Sequence, residues 1–124
     1  MPKANYTEIA YRFNQCFIDP SSGEVIVGAL NHQPDSDVID TIVFLIENRH
    51  RWLSLEDFKK DLWRDSEATE FEIALCILKA RKLLGDHTDH KIIGSNKDGK
   101  GYRFLAPVTS VPIEHFSDTT YQEN

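Results

Sequence analysis

The sequence is poor in cysteine: Cys16 and Cys76 stand sixty residues apart, outside any CxxC or Cys/His spacing. Neither a disulfide framework nor a zinc site is signalled, and a reducing, cytoplasmic setting fits best. No apolar run approaches the roughly 20 residues that cross a bilayer, and the opening MPKANYTEIAYR lacks the apolar stretch of a signal peptide. The expectation is therefore no leader and no membrane span within these residues. Glycine and proline are few, at 6 and 5, and aromatics reach 10%, which argues against a mostly disordered chain. Catalytic signatures are also missing: there is no Gly-rich phosphate loop, GxSxG elbow, HExxH or paired-carboxylate pattern. His87 and His90, interleaved with Asp86 and Asp89, come nearest to a metal cluster. They follow a helix end, where polar residues are expected, and lack a fixed set of three or four ligands. His32, His50 and His115 are scattered, and Cys76 reads as a small core residue. No enzyme, cofactor or metal is expected.

What is present suits one small domain: 124 residues, 40% hydrophobic and 27% charged. The net charge of -6 is unevenly spread. Residues 1–78 carry seven Lys/Arg against fourteen Asp/Glu, residues 79–103 seven against three, and residues 104–124 none against three. Positive charge is thus concentrated between Lys79 and Arg103, the stretch that should face an anionic surface.

Tyr11 to Ile18 is aromatic and β-branched, and Asp19-Pro20-Ser21-Ser22-Gly23 supplies a turn before Glu24 to Val27, which predicts an N-terminal β-hairpin. Gly28 to Pro34 reads as a short return strand or a loop. Val38, Ile39, Ile42, Leu45 and Ile46 then recur at helical spacing, with Asp35, Ser36 and Asp37 as candidate caps and Asn48 as the stop. A second helix opens at Ser54 with Asp57 in the capping-box position and Leu53 and Phe58 placed as a staple. Its face is Leu55, Phe58 and Leu62, closed by Trp63. After the connector Arg64 to Ala68, Thr69 with Glu72 opens the third and longest helix, which stops at Gly85. Lys91-Ile92-Ile93 and Tyr102 to Leu105 flank a glycine-containing basic segment, a second hairpin ended by Pro107. The expected divisions are an N-terminal arm (1–10), a domain (11–107) and a polar tail or linker (108–124).

A hairpin, three helices and a basic hairpin make the element order of an α+β winged helix-turn-helix, with an N-terminal antiparallel sheet and a C-terminal hairpin wing. Four dispersed segments resemble the OmpR/PhoB-type winged-helix DNA-binding domain, and more closely its ToxR/CadC-like branch. They are Phe17-Ile18-Asp19-Pro20-Ser21-Ser22, Ser54-Leu55-Glu56-Asp57-Phe58 with Leu62-Trp63, Ala80-Arg81-Lys82-Leu83-Leu84-Gly85-Asp86, and Gly101-Tyr102-Arg103-Phe104. The resemblance implies a four-stranded N-terminal sheet and binding of double-stranded promoter DNA by the third helix and wing. It also implies contact with RNA polymerase through the Arg64 to Ala68 connector. In the ToxR/CadC branch the domain is the cytoplasmic end of a membrane-anchored regulator; such an anchor would lie beyond residue 124.

On the third helix, Ile73, Ile77, Ala80 and Leu84 share one face, which suits the core, and Phe71, Leu75, Leu78 and Lys82 share the opposite one. The family normally carries polar base-reading residues on that outward face. Three readings of the apolar stripe stand: burial within the domain, a protein partner or second copy of the chain, or contact with thymine methyl groups. The acidic Glu70 and Glu72 and the net charge of -6 favour the alternative to a transcriptional regulator, an interaction module that binds a partner or self-associates through Phe71, Leu75 and Leu78 with weak or no DNA binding. Lys97 and Lys100 at the wing tip, Lys79 and Lys82 on the helix, Arg103 on the wing strand and Thr69 at the helix start are the candidate DNA contacts. Arg81 reads as structural, suited to an acidic partner.

Overall fold

The computed structural model describes residues 6–64 and 68–115. Its first sheet is antiparallel with five strands in the order β4-β3-β2-β1-β8: β1 (Tyr6–Phe13), β2 (Cys16–Asp19), β3 (Glu24–Val27), β4 (Leu30–His32) and β8 (Thr109–His115). The run expected as one strand from Tyr11 to Ile18 is two strands, because Asn14 takes a positive φ of 52° and turns the chain, leaving Phe13 paired with Cys16. Asparagine tolerates that left-handed conformation better than other non-glycine residues. Asp19 shapes the next turn: its Oδ1 accepts from the Ser21 N–H (3.1 Å) and hydroxyl (2.8 Å). The stretch after Gly28, read as a return strand or a loop, is a strand, β4, completing the four N-terminal strands that the family likeness implies.

The fifth strand corrects the expected tail and arm. Residues 109–115 pair along β1 from Arg12↔Thr109 to Tyr6↔His115, so Tyr6 to Ala10 also belong to the sheet. Thr109, Val111 and Ile113 are β-branched at alternate positions, but Pro112 disguises the pattern. Proline is tolerated here because, among the described residues, β8 is an edge strand with one side free of ladder bonds.

Helix α1 (Ser36–Glu47) buries Val38, Ile39, Ile42, Leu45 and Ile46 beneath the sheet's inner residues Tyr11, Phe13, Ile18 and Val25, all in one core. The buried Thr41 hydroxyl donates to the Asp37 carbonyl at 2.7 Å, so its burial leaves no orphaned donor. Strand β5 (Leu53–Ser54) leads into α2 (Leu55–Asp57), whose capping box is formed at Ser54 and Asp57. The expected second helix is shorter than its pattern suggests, because a π-helical turn over Phe58–Leu62 follows at once. The widened turn brings Trp63 onto the Phe58 ring, stacked at 6.2 Å. Phe58 and Leu53 are both fully buried, and Phe44 and Tyr102 meet Phe58 edge-on at 5.2 and 6.1 Å. Leu55 and Leu62 pack more loosely on the same core.

Helix α3 (Glu70–Leu83) follows. Then β6 (Ile93–Ser95) and β7 (Gly101–Phe104) form the wing hairpin, with β5 on the other side of β7. The strand begins at Ile93, so Lys91 lies before the wing rather than on it. Among the described residues no helix is long and apolar enough to cross a membrane.

Candidate nucleic-acid interface

Helix α3 starts with both halves of its capping box. The Thr69 hydroxyl accepts the Glu72 N–H at 3.1 Å, and the Glu72 carboxylate accepts the Thr69 N–H at 2.8 Å. Two of the helix's orphan donors are thereby satisfied. The far end closes equally tightly: Gly85 at φ +76° donates to the Lys82 carbonyl at 3.3 Å, and the Asp86 N–H donates to the Arg81 carbonyl at 2.7 Å. This is the paired bonding of a Schellman stop. Ile73, Ile77, Ala80 and Leu84 are buried, as their spacing predicts.

The outward face is bare. Phe71 is 74% exposed, Leu75 36% and Leu78 56%, so burial within the domain does not account for the stripe. Lys79 and Lys82 are also exposed. Thr69 is exposed too, but its hydroxyl is engaged in the cap.

Two side chains fasten the wing to the end of α3. The buried Asp86 carboxylate accepts three backbone N–H groups, those of Lys91 (2.6 Å), Ile92 (3.0 Å) and Ile93 (2.8 Å). From the helix side, Arg81 gives Nε and Nη2 to the Ile93 carbonyl (3.1 and 2.8 Å) and Nη2 to the Ser95 hydroxyl (2.9 Å). Its guanidinium also lies 5.7 Å from the Tyr102 ring centroid. Burial lowers the Arg81 pKa from its ordinary value, opposed by the negative charge of Asp86. Arg81 is structural as expected, but its fork grips a carbonyl and a hydroxyl rather than an acid. His87 and His90 remain exposed around the inward-facing Asp86. Among the described residues no three His, Cys, Asp or Glu side chains are placed to hold a metal ion.

The wing tip is organised by Asn96. Its Oδ1 accepts the Lys100 and Gly101 N–H groups, both at 3.1 Å, while Asp98 Oδ1 accepts the Lys100 N–H at 2.9 Å. A Cβ on Gly101 would stand 2.6 Å from the Asn96 amide, so only glycine lets Asn96 fold over the turn. Lys97 and Lys100 consequently extend from a fixed backbone into solvent. Arg103 lies on the wing strand β7, where its Nε donates to the Arg49 carbonyl at 3.0 Å and its guanidinium lies 5.9 Å from the Trp52 ring centroid. It braces β7 against the loop after α1 and brings the exposed Arg49 and half-exposed Trp52 alongside. Sequence reading missed Asn96, the inward role of Asp86, and this Arg49 to Trp52 loop, whose only sequence signal is the basic-aromatic run Arg49-His50-Arg51-Trp52. Of the connector Arg64 to Ala68, residues 65–67 lie outside the described residues, as do residues 116–124 of the expected tail.

Known structures share this fold. The DNA-binding domain of E. coli CadC superposes with a TM-score of 0.73 at 20% identity, covering 86% of this chain and all of that one. The response regulator DrrB of Thermotoga maritima, an OmpR/PhoB homologue, gives 0.69 at 21% identity over 77% of this chain and 44% of its own. The fold is the OmpR/PhoB-type winged helix. The same winged helix occurs in the DNA-binding domain of Klebsiella pneumoniae RstA, solved in complex with the RstA box. There the TM-score is 0.65 at 23% identity, over 77% of this chain and 96% of that one. In sequence the chain is similar to the transcriptional regulator HilA of Salmonella typhi, 31% identical over 80 residues, and of Salmonella typhimurium, 30% identical over 80 residues. Each alignment covers 64% of this chain and 14% of the curated relative's length. No protein-family model matches the chain.

Proposed function

We propose that this winged helix is the DNA-binding domain of a transcriptional regulator, acting in the cytoplasm where promoter DNA is found. Helix α3 enters the major groove, and Lys97 and Lys100 hold the phosphate backbone beside it. The observation that carries the reading is the wing: two exposed lysines on an Asn96-organised turn, locked to α3 through Asp86 and Arg81. Cations held at a fixed offset from a groove-sized helix suit a duplex, where phosphate rows flank the groove at a fixed distance. Lys79 and Lys82 add backbone contacts from the helix. Thr69 and Arg103 act more indirectly, Thr69 by capping the end of α3 and Arg103 by bracing β7. Base reading by Phe71, Leu75 and Leu78 falls to apolar contact with thymine methyl groups.

Backbone contacts are independent of sequence, so any labelled duplex at low salt tests the proposal by fluorescence anisotropy. Affinity that falls steeply as salt rises is expected. A chain that leaves anisotropy unchanged even at low salt would overturn the assignment.

A further inference from the structure

We infer that the outward face of α3 is also a self-association surface, on which a second copy of the chain docks its own α3 in antiparallel orientation. Phe71, Leu75, Leu78 and Lys82 are spaced four, three and four residues apart, the spacing of a heptad seam, and all four are exposed. Glu72 and Lys79 lie one heptad apart along one flank of that seam, and both are exposed.

The seam is self-complementary only when the helices run in opposite directions. In the antiparallel register, Leu75 meets Leu78 of the second copy twice, forming two central apolar layers. Phe71 meets Lys82 of the second copy in the two outer layers, where an ammonium over an aromatic ring is favourable. The same register brings Glu72 opposite Lys79 of the second copy on the flank, again twice by symmetry. A parallel pairing sets Lys82 against Lys82 and puts the uncharged Ala74 of the second copy across the flank from Lys79. Charge therefore selects the antiparallel dimer. A helix of 14 residues contributes less than the roughly 1,200 Å² of buried surface typical of stable interfaces, so the association is transient and concentration-dependent. If the proposed DNA reading holds, a second copy and DNA compete for α3, and dimerisation masks the groove-reading face.

Sedimentation velocity of the 124-residue chain without DNA, from micromolar to millimolar concentration, tests the inference. The mean mass should rise from 14.3 kDa toward twice that value. Leu75→Glu should remain monomeric. Lys79→Glu and Glu72→Lys, each alone, should weaken association by about tenfold or more, since attraction becomes repulsion at both symmetric sites. Their equimolar mixture pairs a flank of two glutamates with a flank of two lysines and should associate at parental strength. Circular dichroism checks the fold of each variant. Should Glu72→Lys lose its fold with its cap, Leu75→Glu and Lys79→Glu decide the matter. A parent monomeric at millimolar concentration would overturn the inference. So would a dimer indifferent to Leu75→Glu, or folded charge variants that fail to recombine. Because no DNA is present, failure of DNA binding and failure of self-association are read separately.

Discussion

Asp86 joins the end of α3 to the wing, the two parts of the proposed DNA-binding surface. Its carboxylate is buried and accepts three consecutive backbone N–H groups at the root of the wing. Asp86→Ala strands those donors where water reaches poorly, and should cost about 3 kcal/mol or more of stability. Urea unfolding would show this as a lower midpoint at unchanged slope; a loss below about 1 kcal/mol would mean that the carboxylate is dispensable. Asp57 offers a test by pH. The Ser54 backbone N–H, then its hydroxyl and the Arg51 charge, hold the Asp57 carboxyl below the usual carboxylate range against the opposing effect of burial. Its stabilisation is complete above the unfolded pKa of about 3.9 and is lost as pH falls through the lower folded value. Asp57→Asn should therefore melt below the parent at neutral pH, the gap closing below about pH 4. A gap independent of pH would contradict this role.

At the scale of elements, what could be read from sequence was what closes within one turn. The Ser54/Asp57 and Thr69/Glu72 boxes and the Gly85 stop join residues three to five apart, and the buried face of α3 repeats with the helix's own period. Strand β8 was hidden because Pro112 is a strand breaker everywhere except at an edge, and edge status depends on the whole sheet. The hairpin at Asn14 lacked the glycine that usually marks such turns. The contact Arg103 makes was hidden for a related reason, since its partner Arg49 lies 54 residues away and only the packed sheet brings them together. Asn96 likewise gave no signal before the turn it folds was known. Asn96→Ala removes no charge, but it frees the tip that carries Lys97 and Lys100. It should weaken DNA binding about three- to tenfold with the salt dependence unchanged, the cost of ordering one loop on binding. An affinity equal to the parent's would show that the lysines need no fixed turn.

Across the whole molecule, an acidic chain of net charge -6 gathers its basic excess into one stretch because its charge is sorted along the sequence. The acidic excess belongs largely to the residues that precede Lys79, while the stretch from Lys79 to Arg103 builds the last turns of α3 and the wing. The core fixes which side of α3 points outward, and Asp86 and Arg81 fix where the wing stands beside it. The central claim is that this wing holds the DNA backbone. Its most direct test compares the parent with Lys97→Ala/Lys100→Ala by anisotropy on a labelled duplex across a salt series. Each phosphate contact contributes about -0.9 to the slope of log affinity against log salt, so losing both lysines should make the slope shallower by about two units. An unchanged slope in the double variant would place the DNA somewhere other than the wing.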